Sequence, residues 1–107
     1  MAGEKDLKEL LRSMKPEHHP GSFVFCVVSD ISSIRLEDII LFFKEDEGYT
    51  VIMEKHIADQ LHFSYSFIAS WIILNVHSSL EAVGFTAAFS TALSDAGISC
   101  NVVAAYH

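Results

Sequence analysis

At 107 residues, half of them apolar, the chain suits one compact unit with a real core and leaves little room for two independent ones. Seven Lys and Arg stand against fourteen Asp and Glu, giving a formal net charge of -7 with no basic cluster to neutralise a run of phosphates. That balance argues against nucleic acid and against an anionic membrane surface as partners. The longest apolar stretch, residues 67–76, is far shorter than the ~18–20 residues of a membrane-spanning helix.

The opening "MAGEKDLKELLRSMK" sets Leu7, Leu10, Leu11 and Met14 at helical spacing and lacks the apolar centre of a secretory signal, so a short amphipathic helix and a cytoplasmic protein are expected. Pro16 should end that helix. A Pro-Gly turn signal in "HHPGS" then precedes a buried strand over residues 23–28, rich in aromatic and β-branched side chains. "DISSIRLED" should turn through a short helix capped by Ser32 or Ser33. Residues 39–43 and 49–53 flank "KEDEG" and read as a β-hairpin, with Gly48 free to take a positive φ. "HIADQLHF" offers one or two helical turns.

Residues 67–76 are apolar on both faces, which predicts a central strand. Residues 80–96 carry Ala82, Phe85, Phe89, Ala92, Leu93 and Ala96 along one stripe, an amphipathic helix of roughly 25 Å at 1.5 Å per residue. Gly97 supplies its stop. "ISCNVVAAY" reads as a further apolar strand, reached by a right-handed crossover. The order of elements fits an α+β fold with helices over one face of a mixed or antiparallel sheet. Cys26 and Cys100 both lie in apolar strand-like surroundings, where reduced thiols behave as small hydrophobes; a disulfide would need the two strands to be neighbours with facing side chains.

The polar residues of "NVHSSLEAVG" admit several readings. Ser78 and Glu81 stand in the S-x-x-E relation ahead of the amphipathic stripe, which is a capping box. The box leaves other first-turn amides without intrahelical partners, and such a helix start attracts a carboxylate or phosphate. Gly84, one turn in, costs ~1 kcal/mol against alanine. Close approach of a ligand or tight packing on a strand would each account for it. His77 has no identifiable orienting group and should point away from the adjacent serine, so a hydrolytic triad is not expected. His18 and His19 are adjacent rather than one helical turn apart, and no Cys or carboxylate stands at ligand spacing beside them, so no metal is expected. His56 and His62 frame a short, exposed helix. Nothing resembles a glycine-rich phosphate loop, and no cofactor is implied.

"HPGSFVFCVV", "EGYTVIMEK" and above all "VHSSLEAVGFTAAFSTALSDAGISCNVVAAYH" resemble a family of small ACT-domain proteins distantly related to the regulatory ACT domains of aspartate kinases. The resemblance spans nearly the whole chain. It implies a ferredoxin-like arrangement of two tandem ACT-like halves, residues 1–64 and 65–107. The second is a βαβ piece lacking the closing strand and helix that its relatives carry after "AYH". It implies a non-enzymatic regulatory or sensor module that binds a small molecule, most naturally an amino acid. The ligand turn maps onto His77, Ser78, Ser79, Leu80, Glu81, Val83 and Gly84, with Asn101 a weaker addition. Glu81 would meet an α-amino group and the others a carboxylate. An uncovered strand edge in the shortened half favours a homodimer or higher homo-oligomer. A structural oligomerisation domain without a metabolite is the alternative.

Overall fold

The computed structural model describes residue 12, residues 15–74, residues 82–103 and residue 105. Among the described residues four strands build one sheet: β1 (Pro16–Val28), β2 (Leu41–Glu45), β3 (Gly48–Glu54) and β4 (Tyr65–Leu74). Helices α1 (Lys55–Gln60) and α2 (Ala82–Asp95) accompany them among the described residues. The chain divides into two compact units, one running from His18 to Ile73 and another to which α2 belongs.

In the first unit the sheet order is β2-β3-β1-β4. β1 runs antiparallel to β3 with Val24 opposite Met53 and Cys26 opposite Val51, and β2 runs antiparallel to β3 with Phe42 opposite Val51. Ring contacts of Phe23 with Trp71 and of Phe25 with Phe67 advance along β1 while retreating along β4, the antiparallel sense. Strand, turn, two strands, helix and strand, with β1 and β3 in the middle, is the ferredoxin-like arrangement. Its first helix is reduced to a single 3-10 turn, Leu36–Asp38. The expected boundary after residue 64 lies between α1 and β4, and β4 is hydrogen-bonded into this same sheet.

Period-two alternation puts Val24, Cys26, Val51 and Met53 on one face, all fully buried, where Ala58 of α1 and Ile34 cover them. The hairpin forms as its sequence requires. Glu45 pairs with Gly48 across Asp46 and Glu47, and Gly48 takes φ +137°. Thr50 donates its hydroxyl proton to Glu45 beside the turn.

Both helices close on the same C-terminal device. The amide of Gly97, at φ +77°, donates to the Ser94 carbonyl and that of Ile98 donates to Leu93, a Schellman ending that fulfils the expected stop. At α1 the left-handed residue is His62 (φ 60°), whose amide donates to Asp59 while Phe63 donates to Ala58. Phe63 then packs against the core cluster, and that contact offsets the cost of a non-glycine residue in this conformation. Along α2, Phe85 is buried and its ring lies 5.3 Å from that of Phe89.

Five local expectations are corrected. "HHPGS" is not a turn: β1 begins at Pro16, and Gly21 absorbs the irregularity at φ +111° without reversing the chain. Ser32 does not cap a helix. Its amide and hydroxyl donate to the two carboxylate oxygens of Asp30 (2.9 and 2.7 Å), an Asx-type turn, and the 3-10 turn that follows has no side-chain cap. Among the described residues β4 is a sheet edge rather than a central strand, with Phe67, Ile68 and Ile72 about half exposed, because strand order depends on partners remote in sequence. After α2, the described residues 98–103 and 105 form no strand, and Ile98, Val102 and Val103 are exposed for want of a ladder. Cys100 is accordingly exposed, whereas Cys26 is buried, and both are free thiols. The expected N-terminal helix lies, apart from Arg12, outside the described residues.

Candidate functional site

Of the residues expected to line a ligand turn, His77, Ser78, Ser79, Leu80 and Glu81 lie outside the described residues. Val83 and Gly84 fall in the first turn of α2, which starts at Ala82, and Gly84 is exposed. Asn101 is exposed in the segment beyond α2.

The sequence did not single out a second polar cluster, which the fold assembles at the junction of β3 and α1. Gly21 and Ser22 of β1 join Glu54, Lys55, His56 and Asp59 around an open hollow of about 280 Å³. Lys55 reaches Asp59 one helical turn on at 2.9 Å, the i,i+4 spacing that favours such a pair. The Tyr65 hydroxyl donates to the other Asp59 oxygen at 2.7 Å, and His56 Nδ1 lies 3.1 Å from Glu54. Hydrogen bonds from Lys55 first and Tyr65 second hold the Asp59 carboxyl below the ordinary aspartate range. The same Asp59 contact raises the Lys55 ammonium. The Lys55 ammonium therefore already faces a carboxylate of its own chain in a solvated pair, and the hollow presents no unpaired Lys or Arg. The Lys55–Asp59 spacing was visible in "EKHIAD". The approach of Gly21 and Ser22 was not, because it depends on the β1–β3 pairing.

Other candidate chemistry resolves into structure. Burial, with a smaller contribution from the Asp59 carboxylate, pushes the Cys26 thiol up, so it is protonated and unsuited to nucleophilic work. His19 is partly buried. Its ring stacks on Trp71 at 4.0 Å, nearly parallel, with Nε2 shielded from solvent. Among the described residues no group of three or more His, Cys, Asp or Glu side chains is placed to hold a metal ion, and no helix is long and apolar enough to cross a membrane.

Comparison with known proteins gives three results. Residues 2–70 match one ACT-domain model and residues 66–107 match a second. The structure is similar to the crystal structure of a Vibrio cholerae protein described as of unknown function and a possible transport protein, with a TM-score of 0.84 and 45% sequence identity over 98% of this chain and 81% of that one. A search of curated proteins gives no match.

Proposed function

Because the chain belongs to the ACT-domain family, whose models together match residues 2–107, we propose that it is a non-enzymatic regulatory or sensor module that binds an amino acid or a similar small anion. ACT domains generally bind small-molecule ligands in regulation. The observation that carries the reading is the exposed Gly84 in the first turn of the fourteen-residue helix α2, directly after the polar run "HSSLE". In this reading Ser78 and Glu81 cap the helix, its remaining free amides receive the ligand carboxylate, and the Glu81 side chain meets an α-amino group. His77, Ser79, Leu80 and Val83 line the turn, with Asn101 a weaker contributor. The protein acts in the cytoplasm, consistent with its two free thiols, and works as a homodimer.

A thermal-shift screen of the common amino acids tests the reading. A ligand at 100 times its dissociation constant adds ~2.7 kcal/mol, which moves the midpoint by several degrees. No shift for any of them at millimolar concentration overturns it. The alternative, an oligomerisation domain without a metabolite, draws on the exposed apolar side chains of the sheet. It predicts association without any ligand response.

A further inference from the structure

We draw no further inference here: the strongest candidate, the apolar surface patch that Phe25, Phe43 and Phe67 form on the face of the four-stranded sheet away from α1, carries nothing because no observation among the described residues shows what covers it.

Discussion

Met53→Ala should lower the unfolding free energy of the sheet unit by about 2–5 kcal/mol, the range for emptying a fully enclosed methionine site. Met53 is completely buried, opposite Val24 in the β1–β3 ladder and within the cluster that holds Cys26, Val51 and Ala58. It lies in the central pair of strands and faces the single layer of cover that α1 and Ile34 provide. That layer is thin, with a six-residue helix and a 3-10 turn where two full helices would otherwise lie. Few neighbours can therefore collapse into the void, which places the loss toward the upper end. At about 4–8 °C per kcal/mol for a unit of this size, thermal unfolding followed by circular dichroism should show a fall of ten degrees or more. Met53→Leu, which nearly conserves volume, should cost less than about 1.5 kcal/mol. Equal losses for the two variants would show that the site is not packed as described.

Gly48→Ala should be the most damaging change among the turn residues. Gly48 sits at φ +137°, a region closed to side chains at a cost of about 1–3 kcal/mol. An added Cβ would also come within 2.8 Å of the Val28 carbonyl oxygen. That neighbour is backbone in the β1–β3 ladder, where Val28 stands opposite Tyr49, so it cannot swing aside as a side chain would. Gly97 provides the control. Its φ is +77° and a Cβ there meets nothing within 4 Å, so Gly97→Ala should cost only the ~1–2 kcal/mol of the left-handed conformation. Urea unfolding of both variants should place Gly48→Ala well below Gly97→Ala. The reverse order would contradict the hairpin geometry.

Local chemistry and remote pairing separate what could be read in the chain from what could not. The β2–β3 hairpin and the Gly97 stop were legible because glycine at a fixed offset from an apolar pattern encodes each within a few residues. The buried strand at residues 23–28 was legible from its aromatic and β-branched run. The edge position of β4 was not. An apolar run on both faces reads as a doubly covered strand, and only the strand order reveals that one side of residues 67–72 has no partner strand among the described residues. "HHPGS" misled for the opposite reason: its proline and glycine signal reversal, yet Gly21 uses its positive φ to keep β1 extended. The polar hollow escaped notice because two of its lining residues, Gly21 and Ser22, come from β1 and the other four from α1 and the end of β3. The expected ligand turn, residues 77–84, was read from the capping-box spacing and the family resemblance, and most of its residues lie outside the described ones.

Amide chemical-shift mapping of the isotope-labelled chain, titrated with the amino acid that gives the largest thermal shift, tests the binding function most directly. The account predicts saturable changes concentrated on the amides of residues 77–84, with those of Gly21, Ser22 and Lys55 unmoved. Changes concentrated on the hollow at the β3–α1 junction, or the lack of any saturable response at millimolar ligand, would contradict it.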